Sequence, residues 1–597
     1  MAPVSPLAGK TDEVSFTVQA NGQPLPDSCQ VARLRVLKQV NRIASARIEL
    51  YDGSLSDESF AISSSQTLVP GVRITIAAGY HGQTSAIFSG VIVRHAIQVK
   101  ADGRSYLVLT CFDQAIKLTI GRKSGYVGKS DSEAFSQIIS GAGLTPKVSA
   151  TTATHDEIVR YYATDWDFLV ARAEVNGQIV LVDDGSVTVQ APVVDGTPGL
   201  VISYGDALYE INAEIDASLQ LPSVSCSAWD YANQALASVN ASEPSVNEQG
   251  NLSGQDLAKA LGLAGVNLQS TVPEPAPELT SWANAQLLKS RLARIRGKVS
   301  FRGNATPKPG GLIEIAGCGD RFNGNAFIAS VQHSIEGGNW RTEVGMGLSP
   351  RWFVEEAEAV EAAPASGLLP GVAGLVTGVV KQIDQDPDGE TRVQVAVPVI
   401  AQNGDFIWAR LASTYATSKA GIFFVPEVGD EVVLGFLNDD PRFPIVLGSL
   451  YNAQAHTPPF AADAQNTNKA IVTKNQLKIT FDDVNKVIVV RTPGGQVMTM
   501  SDQDNTITLS DSNQNTIKMS SSGISLDSCA AISMSAKTEI SMTADTNVAI
   551  SATNQMSAKA AMLSASASAS LSLQGDASAK LASSGETAVQ GSLVMIN

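Results

Sequence analysis

The chain has 597 residues, a formal net charge of −16, 44% hydrophobic and 17% charged residues; that length fills about three to five domains, and that composition excludes a largely disordered chain. A surface of this sign repels phosphate, so no nucleic acid is expected as a partner, and the charge is spread along the chain as a solubility feature. Cys29, Cys111, Cys226, Cys318 and Cys529 are far apart, with no CxxC pair or Cys/His spacing, so neither a disulfide framework nor a zinc site is suggested and reduced thiols are expected.

The opening MAPVSPLAGKTDE lacks the apolar region of a secretory signal, and the apolar stretch GLLPGVAGLVTGVV from Gly367 is only 14 residues long with Pro370 inside it. A bilayer span needs about 20. The expectation is a protein made and assembled in the cytoplasm that leaves, if it does, by means other than its own signal. Residues 1–130 read as short half-buried strands such as VSFTVQA, CQVARLRVLKQV, VRITIAAGY and RSYLVLTCF, divided by Gly and Asp-Gly turns, which gives a first β-barrel or sandwich. Residues 131–200 form an α+β insertion. SDSEAFSQIISGAG offers Ser130 or Asp131 as a helix N-cap, TDWDFLVARAEVNG offers Thr164 or Asp165, and QIVLVDDGSVTVQ is a hairpin turning at Asp184-Gly185.

Strands resume over 208–231. The polar stretch around 240–254 and TVPEPAPEL read as loop, a helix is expected over about 280–293, and further strands reach about 347, so 201–355 makes a second β-barrel with a helix. Acidic, alanine-rich EEAEAVEAAPASG supplies a linker at 356–371. Residues 372–455 carry GVVKQI, TRVQVAVPV, FIWARLA, GIFFVPEVGDEVVLGFL and PIVLGSLYN, five strands that suit a small barrel of the OB type. A connector follows at 456–481.

Beyond Phe481 there is no Phe, Tyr, Trp or His, and beyond Pro493 no proline. Ile524/Leu526, Ile532/Met534, Ile540/Met542 and Val548/Ile550 recur every eight residues, Met556 keeps the step, and Leu563, Leu571 and Leu581 follow near the same phase. Such a period means stacked short strands. Two apolar side chains per octad contribute about 1.5–3 kcal/mol each when fully buried, whereas ordering eight backbones costs about 1–2 kcal/mol per residue. One chain therefore does not close a core of its own, and residues 482–597 are expected to wind three chains into an intertwined β-helix whose core is those four pairs. About a dozen octads at the spacing of stacked strands make a rod on the order of 60 Å long. A disordered low-complexity tail is the alternative; the octad phase argues against it.

The segment from Asp405 to Asn452 carries Trp408-Ala409-Arg410, Pro426-Glu427-Val428-Gly429-Asp430, Asp440-Pro441 and Pro444-Ile445-Val446-Leu447-Gly448. With these marks it resembles the OB-fold of VgrG proteins and phage baseplate spikes. YLVLTCFDQAIKLTIGRKSG and TDWDFLVARAE resemble the phage tail hub half of the same proteins, and the tail resembles the triple-stranded β-helix of puncturing needles. The fold implied is mainly β: a hub of two β-barrels with a small α+β insertion, an OB barrel and a homotrimeric β-helical needle. Partners implied are a PAAR-like tip protein, an inner tube or tube-initiator protein and baseplate proteins, with the target membrane met only mechanically. Within the family the compact hub and the ending GSLVMIN favour an extracellular, phage-tail-like contractile particle over a type VI secretion spike that carries effectors.

Leu593, Val594, Met595 and Ile596 are expected to form the tip that meets a cap, or simply the last octad. Asp384-x-Asp386-x-Asp388-Gly389 matches the opening of a calcium loop, but Val395 stands where a bidentate Glu is needed, so a hairpin turn is expected. The five histidines lack metal spacing, and no nucleophile elbow or phosphate-binding loop is present. No cofactor, metal or catalytic residue is assigned. A peptidoglycan hydrolase and an adhesive trimeric fibre are the remaining alternatives.

Overall fold

A computed structural model describes residues 3–155, 158–230, 233–271, 273–361, 365, 369–398 and 406–596. Part of the linker expected at 356–371, together with Tyr231, Val399 and Asp405, lies outside them. The chain divides into two units, Met1–Ser449 and Leu450–Asn597.

In the first unit alternating side chains build a 13-stranded sheet. Strand Arg73–Tyr80 buries every second residue, Ile74, Ile76 and Ala78, the pattern of a half-buried strand. Two separate cores form, one around Leu34, Ile48, Ile76 and Leu107 and one around Val299, Phe301, Ile315 and Val344. The two expected hub barrels nevertheless share one sheet, because strand Gly324–Glu336 pairs with Val31–Gln39, Ser330 opposite Gln39 and Glu336 opposite Arg33.

Between these halves sit helices α1 (Asp131–Gly141) and α2 (Asp165–Val175). Ser130 caps α1 by accepting from the Glu133 amide at 3.3 Å, and Thr164 caps α2 from Asp167 at 3.0 Å, each satisfying an orphan N–H. The hairpin Ile179–Asp183/Ser186–Gln190 turns at Asp184-Gly185, both with positive φ, and adds Thr145–Val148 as a parallel third strand. Residues 241–253 carry no helix or strand run, as expected, but around them lie strands Ala235–Asn240 and Val266–Ser270 and a short helix α3 (Gly254–Leu261), fixed by a capping box between Ser253 and Asp256. Helix α4 (Ala276–Leu292) starts after Pro275, earlier than expected, because proline presets the first helical turn.

One buried carboxylate ties these pieces together. Glu174 on α2 accepts from Asn41 Nδ2 at 2.9 Å, Lys289 Nζ at 2.8 Å and the Phe353 amide at 2.6 Å. Phe353 opens the short helix α5 (Phe353–Glu356). The chain beyond it is held by Arg122, whose guanidinium donates to the carbonyls of Ala359, Val360 and Glu361.

Strands Val376–Gln382, Val393–Ala396, Ile407–Leu411, Pro444–Ser449 and Glu431–Phe436 close a five-stranded barrel in that order, filled by Val380, Val393, Val395, Ala409, Val432, Leu434 and Val446. The run GIFFVPEVGDEVVLGFL is not one strand: the strand begins at Glu431, and residues 412–424 form an exposed finger instead.

The second unit opens with an antiparallel meander of seven strands, Asn468–Val472, Lys478–Asp482, Val487–Arg491, Val497–Ser501, Thr506–Ser510, Thr516–Ser520 and Gly523–Asp527. Its turns repeat every 19 residues. At one edge Thr473, Thr492 and Asp511 each accept from the amide four residues on, and Gln476, Gly495 and Gln514 each take positive φ. At the other edge Asp482 and Ser501 accept from the amides of Val484 and Asp504. Among the described residues none beyond Asp527 is paired in a strand.

Candidate functional site

Alternation in the meander places two apolar columns across one face of the sheet. Cross-strand pairs link Ile471, Ile479, Val490, Met498, Leu509, Ile517 and Leu526 in one unbroken row. Phe481, Ile488, Met500, Ile507, Met519 and Ile524 make the second. The row between them on the opposite face runs through Thr480, Val489, Thr499, Thr508, Lys518 and Ser525, polar but for one valine. A sheet with one such face needs a cover, yet Leu509 is 50% and Ile524 70% exposed.

Ile524 and Leu526 end the two columns and are also the first octad pair. Ile532, Met534, Ile540, Met542, Val548 and Ile550 follow, all more than half exposed. An open groove lined by Val490, Met498, Leu509, Ile517, Leu526 and Ile532 carries the first column on to the second pair. Ile524, Leu526 and Ile532 thus continue the apolar face of the meander, and the other five expected core residues are exposed in the single chain. Leu593, Val594, Met595 and Ile596 at the far end are exposed as well. The sequence reading missed the 19-residue repeat before the octads, although Thr473, Thr492 and Asp511 are its legible signal.

The OB marks have structural reasons. Gly429 takes a positive φ and donates to Val380 O, and the Asp430 carboxylate accepts from the Glu427 amide at 2.9 Å, so Pro426–Asp430 is a closed turn that launches the next strand. Asp440 is buried and accepts from the Arg442 amide and guanidinium around Pro441. Trp408 and Arg410 sit on strand Ile407–Leu411, and Gly448 on Pro444–Ser449.

In the calcium-like loop Arg392 folds back onto Asp386 and Asp388, Nη2 at 2.6 Å and 2.5 Å. A guanidinium therefore stands where a cation would, and together with the amides of Asp388 and Glu390 it holds the Asp386 carboxyl well below the usual carboxylate range. Among the described residues no group of three or more His, Cys, Asp or Glu converges as a metal-binding set. His333 is buried against Thr342 Oγ1 at 3.0 Å, and burial pushes it down to about 3. All five cysteines are free thiols. Burial raises the Cys111 thiol to about 12, away from reactivity. Among the described residues no helix is long and apolar enough to cross a membrane.

Three family matches lie along the chain. Residues 10–337 match the Alg8 N-terminal domain, residues 376–451 the type VI secretion system/phage-baseplate injector OB domain, and residues 486–578 the phage baseplate V C-terminal trimerisation domain. Similar curated proteins include the type VI secretion system spike protein VgrG1a of Pseudomonas aeruginosa, 25% identical over 197 residues that cover 30% of this chain and 30% of that protein. VgrG3 of Vibrio cholerae is 35% identical over 81 residues, 13% of this chain and 8% of that protein. The chain thus spans less than a third of the length of these relatives. Among solved structures, a tail protein of Neisseria meningitidis aligns at 13% identity and a TM-score of 0.42, over 57% of this chain and 98% of that one. An E. coli component of the type VI secretion system aligns at 12% identity and a TM-score of 0.34, over 72% and 99%.

Proposed function

We propose, for a chain that belongs to the VgrG-like family of phage-baseplate spike proteins, that it is the non-enzymatic central spike of a contractile injection system. The chain carries a trimerisation domain, and three copies place their two apolar columns and octad pairs against one another. In this reading the first unit seats the spike on the inner tube and baseplate. The octads stiffen it, and residues Leu593–Ile596 meet a PAAR-like cap. Sheath contraction then drives the trimer through the target envelope.

The observation that carries this reading is the continuity of the meander columns with Ile524, Leu526 and Ile532 of the first octads, an apolar face of which one chain leaves all but Ile488 and Met500 exposed. A needle needs stiffness and a shared core, and this pattern supplies both without a reactive group. A type VI spike is the second reading, supported by the type VI spike proteins among the relatives, and an extracellular tail-like particle remains the first. Immunogold labelling of purified particles tests the placement. Label at the baseplate end is the expected result; label spread along the sheath, or confined to particle-free fractions, overturns it.

A further inference from the structure

The exposed finger of the OB domain is a built element. Strands Ala416–Thr417 and Ala420–Gly421 pair across Ser418 and Lys419, the latter at positive φ. The Ile422 amide donates to Tyr415 O at 2.9 Å, and the Ser413 hydroxyl donates to Ile422 O at 2.8 Å. Backbone shape is therefore fixed from within, yet every residue from 412 to 424 is exposed. Phe423 is 75% and Phe424 67% exposed, with Tyr415 and Ile422 beside them in the hairpin more than half exposed. A preorganised hairpin that presents two adjacent phenylalanines to water has the form of an anchor awaiting a pocket.

The same barrel presents a second, different apolar feature. Leu375 and Leu447 are both more than half exposed and flank Gly435, where an added Cβ would stand 3.4 Å from Leu447 and 3.6 Å from Leu375. The missing side chain leaves a shallow notch, about one methyl group deep, within contact range of both leucines. Because the finger and the notch are unlike surfaces of one domain, a contact between them is heterologous, and heterologous contacts close into a ring when the rotation fits. The same polypeptide carries a domain that assembles three copies, which supplies a threefold rotation.

We infer that the Phe423/Phe424 finger of each OB domain docks into the Leu375–Gly435–Leu447 notch of the neighbouring copy, so that the three barrels form a closed collar. The occupant is a second copy of this chain. The inference rests on the trimeric spike reading and extends it to a surface outside the C-terminal domain. A collar of this kind carries load between barrels, which the octads alone do not.

The test uses the full-length chain with p-benzoylphenylalanine in place of Phe423, irradiated after its mass has been measured by light scattering. Covalent species of two and three chains, with the cross-link mapped to residues 435–447 or to Leu375, are expected. A reciprocal probe at Leu447 should map to 422–424. In a protein of trimeric mass, cross-links confined to one chain, cross-links to residues 1–355, or no cross-links at all overturn the collar and leave the trimer standing. A monomeric mass overturns the trimer as well.

Discussion

Leu509→Ser removes one rung of the first apolar column and leaves the meander's hydrogen bonds intact. Leu509 lies between Met498 and Ile517 and is half exposed in the single chain, so assembly has about half a leucine side chain left to bury. At about 1.5–3 kcal/mol for a whole side chain, that is about 1 kcal/mol per chain and about 3 kcal/mol per trimer. Since about 1.4 kcal/mol is a factor of ten, the trimer's dissociation constant should rise by about two orders of magnitude. For three monomers that constant is a squared concentration, so the midpoint moves by its square root, about tenfold. Mass photometry across a dilution series, in urea sufficient to bring the wild-type midpoint into range, reads this shift. Lys518→Ser, on the opposite face opposite Thr508, should leave the midpoint in place. Equal midpoints for Leu509→Ser and the wild type would refute the burial of this column.

Glu174→Gln strands the Lys289 ammonium in a buried site and should cost about 3–5 kcal/mol, while Glu174→Gln with Lys289→Met, which keeps an acceptor for Asn41 and the Phe353 amide, should recover most of it, both read from urea unfolding. His333 stays neutral in the folded chain down to about 3, well below its ordinary value, so the unfolded chain takes up the proton first as pH falls. Its contribution is complete above about pH 6.5 and declines by about 1.4 kcal/mol per unit down to about pH 3; His333→Gln should flatten that slope between pH 6.5 and 4.5. Millimolar calcium should leave the melting temperature unchanged, because Arg392 already neutralises Asp386 and Asp388. A calcium-dependent rise would show that the guanidinium is displaced.

What was legible in the sequence was local. Ser130 and Thr164 announce their helices through a hydroxyl three residues ahead of the amide it satisfies. Asp184-Gly185 announces its turn because both positions need positive φ. The OB strands and octads show because their apolar residues keep a fixed period over many residues. The meander hid because its first five turns alternate between five and four residues and the last has two, so no single short period survives, and because Thr473 and Asp511 do the same work with different side chains. Helix α3 was too short for periodicity, and only its capping box marks it. Glu174 was beyond reach for another reason: Asn41, Lys289 and Phe353 lie more than a hundred residues away in the chain. Nothing in their local surroundings shows that they meet. The finger was misread as strand because Ile422, Phe423 and Phe424 have high strand propensity, while exposure depends on partners that a single chain lacks.

The mass of the purified full-length chain in solution, measured by light scattering alongside a version lacking residues 524–596, comes first. Three times 62.4 kDa, about 187 kDa, is the predicted mass of the full chain, with partial or complete dissociation once the octads are gone. A monodisperse species near 62.4 kDa would contradict the shared core, since it would leave both apolar columns and every octad pair in water.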